Sequence, residues 1–155
     1  MDTTGLRAAY AELDEVARGR LGPPPPGEWD RDHILAHLVS ADLAIASVAL
    51  AVASGQRPVY DNRVNLDEWN LRRIIQQSSG HLADRVQAAG DLLCSIAGTL
   101  GREELETTVP VLIVSNDELV VDEPWPLRSL VEGIGQIHLP RHTEQLRALG
   151  AGDEP

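Results

Sequence analysis

Gly133-Ile134-Gly135-Gln136-Ile137-His138-Leu139-Pro140-Arg141-His142 sets two histidines four apart in an apolar-periodic stretch. On a helix, residues i and i+4 share one face, one turn above the other. Upstream, after Trp29, His33-Ile34-Leu35-Ala36-His37 repeats the spacing, so four of the chain's 5 histidines fall in two helical pairs. Neutral imidazole is the commonest protein ligand for metals, and a catalytic ion needs about three protein donors plus an open position. The pattern predicts a metal site inside a helical protein, built by helices far apart in sequence.

Periodicity extends this outward. Thr4 to Arg20 reads as a first helix, with Leu6, Ala9, Leu13 and Val16 on one face and Thr3 or Thr4 as cap. Four prolines between Gly22 and Gly27 form a stiff connector. Asp30 caps a second helix that runs to about Ala53 and stops at Gly55. A loop over 57–65 leads into a long third helix over about 66–100. Asn65 with Glu68 is its capping box, and Gly80 and Gly90 mark a bend or break. Val109 to Val114 and Leu119 to Val121, around Ser115-Asn116-Asp117, predict a small hairpin that Pro124-Trp125-Pro126 ends. The last helix spans about Leu127 to Leu149, and 151–155 is a frayed tail. Residues 1–150 thus read as one all-α domain. It is a four-helix bundle with a long irregular or hairpin excursion before the last helix.

A chain of 155 residues can bury roughly 70% of its unfolded surface without a staple. The formal charge of −11 opposes nucleic-acid and anionic-membrane partners. The stretch from Leu43 to Ala53 is short of a membrane span, and the first residues lack a secretory pattern. One cysteine, Cys94, suits a reducing, cytoplasmic compartment. All 13 basic side chains are arginine and phenylalanine is absent, the bias of a GC-rich genome such as an actinomycete's. The partner expected is a small molecule, with a homodimer left open.

Trp29-Asp30-Arg31-Asp32-His33-Ile34-Leu35-Ala36-His37-Leu38, and Leu127-Arg128-Ser129-Leu130 through His138 and His142, resemble the DinB/YfiT-like superfamily. That superfamily includes the N-terminal domain of mycothiol-dependent maleylpyruvate isomerase and many bacterial thiol transferases. The resemblance covers essentially the whole chain and implies a metal-binding four-helix bundle. A helix-two histidine in an "ILAHL"-like string joins two residues spaced i, i+4 on the last helix. Carried over, the ligands are His37, His138 and His142. The resemblance also implies a low-molecular-weight thiol, mycothiol in actinobacteria, as co-substrate of a transferase or isomerase-type reaction. Pro140, between the two paired histidines, departs from the pattern. In a regular helix it removes one hydrogen bond and pushes on the Gln136 carbonyl.

The expected metal is zinc, with nickel or iron also suited to imidazole. An ion there would lower the pKa of a bound thiol or water. Thiol transfer to an electrophilic small molecule leads. Metal-dependent hydrolysis, a natural-product tailoring step, or a non-catalytic metal- or ligand-binding bundle are the alternatives. Tyr60, Asn62, Arg63 and Trp69 are candidates for the wall of a substrate pocket. Arg141 is placed to meet an anionic substrate, where the plainer reading is a surface salt bridge. His33 reads as a neighbour that could replace His37 if the helix were rotated, and His81 as a solvated residue within helix three. Cys94 reads as a small hydrophobe in the core. No residue presents itself as the catalytic nucleophile.

Overall fold

The computed structural model describes residues 1–150, and the expected frayed tail lies outside them. The fold is mostly helical with one small three-stranded sheet.

Helix α1 spans Thr4–Ala17 and buries Leu6, Tyr10, Leu13 and Ala17. This stripe is rotated slightly from the expected one, which placed Ala9 and Val16 inward. Its start is held by Asp2, whose carboxylate accepts from the Thr4 N–H at 2.9 Å; Thr3 makes no side-chain cap. The proline connector is pinned where the Gly22 N–H donates to the Leu149 carbonyl at 2.7 Å. A Cβ on Gly22 would sit 2.9 Å from that oxygen, so only glycine allows the approach.

Helix α2 spans Arg31–Ala53, capped by Asp30 as its sequence predicts. It is the central helix, packed against the flanking helices and buried on most sides. Its best 18-residue window has mean hydropathy 2.0, so by length and composition it reaches a membrane span; counting only from Leu43 understated it. Within the fold, 67% of that window is buried.

The long third helix divides. A 3-10 turn over Asn62–Asn65 precedes α3, Glu68–Ser78, and α4 spans Leu82–Thr99. The break falls at Ser79 and Gly80, both with left-handed φ, 49° and 83°. Gly90 is no break. A Cβ there would lie 2.6 Å from the Tyr10 ring, so the residue lets α1 and α4 approach. The cap of α3 is Asp67, accepting from the Asn70 N–H at 2.8 Å, and Asn65 is buried instead. His81 is the exposed residue that opens α4, not a mid-helix residue.

One turn, α5 (Arg102–Leu105), precedes the hairpin. Strand β1 is Tyr60–Asp61, β2 is Thr108–Ser115 and β3 is Glu118–Pro126, in the order β1-β2-β3. β1 pairs parallel to β2, with Tyr60 opposite Val111, while β2 and β3 are antiparallel. Asn116 and Asp117 both take positive φ, as a tight hairpin turn of primed type needs. Pro124-Trp125-Pro126 does not end the hairpin. It forms the end of β3, an edge strand that tolerates residues without an N–H.

The C-terminal helix is continuous in three parts: α6, Leu127–Gly133, a π-helical stretch over Ile134–His138, and α7, Leu139–Gly150. The Leu139 N–H reaches back five residues to the Ile134 carbonyl. Pro140 follows directly. The chain accommodates its missing donor by widening the preceding turn rather than by breaking the helix. Gly135 lies where a Cβ would meet Leu6 of α1 at 3.2 Å, which accounts for a small residue there.

Candidate metal centre

The widened turn and α7 carry His138 and His142, and the second turn of α2 carries His37. The three rings converge, His138 edge to face with each of the others and His37 tilted against His142, with centroids 5.0 Å apart for His37 and His138, 4.9 Å for His37 and His142, and 4.7 Å for His138 and His142. One ring nitrogen from each lies within 4.8 Å of the others. His37 and His142 are buried, 5% and 8% exposed. Trp29 closes one side, its ring 5.2 Å from that of His37.

Hydrogen bonds outside the cluster orient the rings. His37 Nδ1 lies 2.8 Å from the Asn65 carbonyl, which can only accept. The Nδ1 proton is therefore fixed there, and Nε2 presents its lone pair to the cluster. His142 Nδ1 does the same toward Gln145 Oε1 at 2.9 Å. His138 Nε2 lies 2.9 Å from His37 Nε2, and its Nδ1 is buried without a partner. If Nε2 of His138 carries the proton it donates to His37, and the buried Nδ1 lone pair finds no donor. If Nδ1 carries it, that proton finds no acceptor and two lone pairs face each other. Either arrangement leaves a buried polar atom unsatisfied. A cation among the Nε2 atoms removes the repulsion in the second. Two nitrogens about 2.05 Å from a tetrahedral ion stand roughly 3.3 Å apart. The His37–His138 spacing is a few tenths of an ångström short of this and all three donor nitrogens lie within 4.8 Å of one another, so small side-chain shifts bring them to a first-row divalent ion.

Electrostatics keep the donors ready. Burial pushes all three histidines down, His142 to about 4 and His138 well below its ordinary range, and the nearby Arg141 charge adds to this. At neutral pH all three are uncharged, the form that binds a metal.

Support for His37 comes from residues to which sequence reasoning gives another role or none: Asn65 reads as a helix cap, Tyr60 as a pocket wall, and Ser40 has no reading at all. Asn65 is fully buried; its Oδ1 accepts from Ser40 Oγ at 3.0 Å, and its Nδ2 reaches the Tyr60 hydroxyl at 3.4 Å. Asn70 Nδ2 donates to Ser40 Oγ and to the Val64 carbonyl. This network holds the 3-10 turn whose carbonyl orients His37. The only sequence signal was the density of polar residues around Asn65.

The remaining candidates fall elsewhere. His33 sits outside the cluster, between Asp30 at 2.9 Å and Glu68 at 3.4 Å, and does not replace His37. Asn62 exchanges both amide hydrogen bonds with Val114 and ties the 3-10 turn to β2. Arg63 is held by Asp61. Trp69 is exposed, with the Arg73 guanidinium 4.7 Å over its ring. Tyr60 is buried and reaches His37 only through Asn65; it also lines a surface cavity of about 400 Å³ between α2 and the 57–64 segment, which contains none of the three histidines. Cys94 is buried and its thiol is pushed up by burial, as a core residue. Arg141 is exposed beside the cluster and makes no ion pair among the described residues.

Compared with known proteins, the chain matches no family model, no curated protein and no solved structure.

Proposed function

We propose that this chain is a metal-dependent enzyme of the DinB/YfiT-like type. Its bundle would consist of α1, α2, α3 with α4, and the C-terminal helix, and its chemistry would use an external thiol on an electrophilic small molecule. The observation that carries the reading is the convergence of three neutral imidazole nitrogens whose other ring nitrogens, in His37 and His142, are already committed outward. Three imidazoles, which leave the fourth position of a tetrahedral ion to an outside ligand, suit zinc, and also nickel or iron. A divalent ion held there supplies Lewis-acid chemistry, lowering the pKa of a thiol or water toward neutrality.

The chain's own residues do the rest. Asn65 and Gln145 fix the tautomers of His37 and His142 and keep both rings aimed inward. Burial keeps water away and strengthens each electrostatic contact within the site. Cys94, the one cysteine, is buried elsewhere in the core and does not supply the nucleophile. An external thiol fills that role, and mycothiol fits the composition and the resemblance. The type of transfer or isomerisation follows from the electrophile.

The depth of His37 and His142 supports a second reading, a non-catalytic bundle with a closed metal site. A cobalt-substituted sample separates the two. On adding mycothiol, or a simpler thiol in its place, the enzyme reading expects a new sulfur-to-metal charge-transfer band. A spectrum that responds only to small oxygen ligands would replace thiol transfer with hydrolysis. One that responds to neither would leave the closed site.

A further inference from the structure

We infer that the small molecule received at this site carries a carboxylate or another oxyanion, and that Arg141 pairs with it beside the three histidines. The inference rests on reading the cluster as a metal site.

Charge balance at the cluster is the first argument. Its three donors are neutral imidazoles, and among the described residues no carboxylate shares the site. A divalent ion held by neutral donors in a buried place keeps its full charge; a bound thiolate offsets one unit of it, and a second anionic group offsets the other. The acids around His33, one turn before His37 on α2, are already committed. Asp30 accepts from His33, and Glu68 accepts from His33 and Arg72.

The second argument is the state of Arg141. It stands on α7 three residues after His138 and directly before His142. Its side chain is exposed and makes no hydrogen bond or ion pair with any described residue, although the chain carries eleven more acidic than basic groups. Arg7, Arg18, Arg31, Arg63, Arg72, Arg128 and Arg147 all have acidic partners. Arg20, Arg57, Arg73, Arg85 and Arg102 form no ion pair either, but of these six only Arg141 lies on the C-terminal helix, between His138 and His142. A second positive charge beside a cation site is unfavourable on its own. An anionic group lying between the ion and the guanidinium offsets both. The planar fork of arginine suits a carboxylate held by two parallel N–H bonds.

Two isosteric thiols test this, 3-mercaptopropionate and 3-mercaptopropionamide, titrated into the cobalt-substituted full chain and followed by the cobalt spectrum. The anionic thiol is expected to bind about tenfold more tightly than the neutral one, the factor one charge-assisted contact provides. Arg141→Ala should remove most of that preference and leave the neutral thiol's affinity nearly unchanged, with Arg141→Lys in between. Arg141 is exposed, so unchanged far-ultraviolet circular dichroism should accompany the loss. Equal affinities in the wild-type protein, a preference that survives in Arg141→Ala, or a spectrum that ignores both thiols would overturn the inference. Failure of the metal reading itself is seen separately, as cobalt not taken up before any thiol is added.

Discussion

Two clusters of buried polar side chains hang on α2, and they are built in opposite ways. His37 belongs to the first; Asp42 belongs to the second, five residues or about 140° further round the helix. In the first, hydrogen bonds from outside the cluster hold two of the three rings, and their free lone pairs converge. In the second, Asp42 is fully buried beside Tyr10 of α1, yet neither its carboxyl oxygens nor the Tyr10 hydroxyl has a well-formed hydrogen bond. Burial moves the two kinds of group in opposite directions. It pushes the histidines down, His142 to about 4, and it pushes Asp42 up to about 8. In both cases the uncharged form is favoured. The first cluster is thereby prepared for a cation, whereas the second is satisfied by a proton. Buried polar groups become a site where their remaining lone pairs point at one another and neighbours hold them there.

Among changes that leave the three ligands in place, breaking the outer support of the first cluster should have the largest effect. Asn65→Ala removes the side-chain contacts to Ser40 and Tyr60 that anchor the carbonyl beneath His37. Metal affinity should fall about 10- to 100-fold, as it does when the partners of ligating histidines are lost. Calorimetric titration of wild-type and variant protein measures this, and equal affinities would remove Asn65 from the account.

The second cluster should respond to a conservative change. Asp42→Asn keeps the shape and removes the ionisable group. At pH 9 the variant should be more stable than the wild type by about 2 kcal/mol, because a buried unpaired carboxylate no longer has to exist. At pH 4 the difference should disappear. Chemical denaturation at the two pH values checks both.

The pH dependence sharpens the contrast. Asp42 has a folded value near 8 against an ordinary 3.8. The stability it contributes is present below about 4 and is lost as pH rises through about 8. The histidines are lowered from 6.5. Their share in the metal-free protein is present above about 6.5 and is lost as pH falls through their lowered range, which for His142 lies at about 4. Metal-free wild type should therefore lose stability on both flanks, and Asp42→Asn should keep only the acid one. An alkaline flank that persists in Asp42→Asn would assign it to another group. Metal affinity should likewise hold up below pH 6.5 and fall as pH approaches 4, since burial delays the competing protonation.

The smallest effect belongs to the exposed rim of the first cluster. Gln145→Ala removes the acceptor of His142 Nδ1 at a half-buried position, where water can replace it. A loss of about threefold to tenfold in metal affinity is expected, at the low end for such partners.

Much of this was legible in the sequence because it is local. Both His-x3-His pairs, the Asp30 cap and the hairpin turn at Asn116-Asp117 are patterns written within a few residues. Convergence of His37 with His138 and His142 followed from the resemblance combined with helical spacing. Non-local features were not legible. Tyr60-Asp61 is too short to announce a strand, and it becomes one only by lying parallel to Val111-Leu112. Asn65 and Asp67 are both good caps two residues apart, and tertiary burial of Asn65 decided between them. The Ser79-Gly80 break and the harmless Gly90 look alike in sequence. What separates them is a positive φ at one and a tyrosine ring from α1 at the other. Pro140 signalled a disturbance, but its form, a widened turn placing His138 opposite His37, depends on how the helix packs.

The central claim is that three imidazoles hold one divalent ion. Its most direct test is elemental analysis of the protein purified without chelator, paired with zinc titration of the stripped protein, for wild type and His142→Ala. About one ion per chain in the wild type, with affinity reduced at least ~100-fold in His142→Ala while the helical circular dichroism persists, is the predicted result. A wild-type protein that carries no metal and takes up none, or a His142→Ala protein that binds as tightly as wild type, would contradict it.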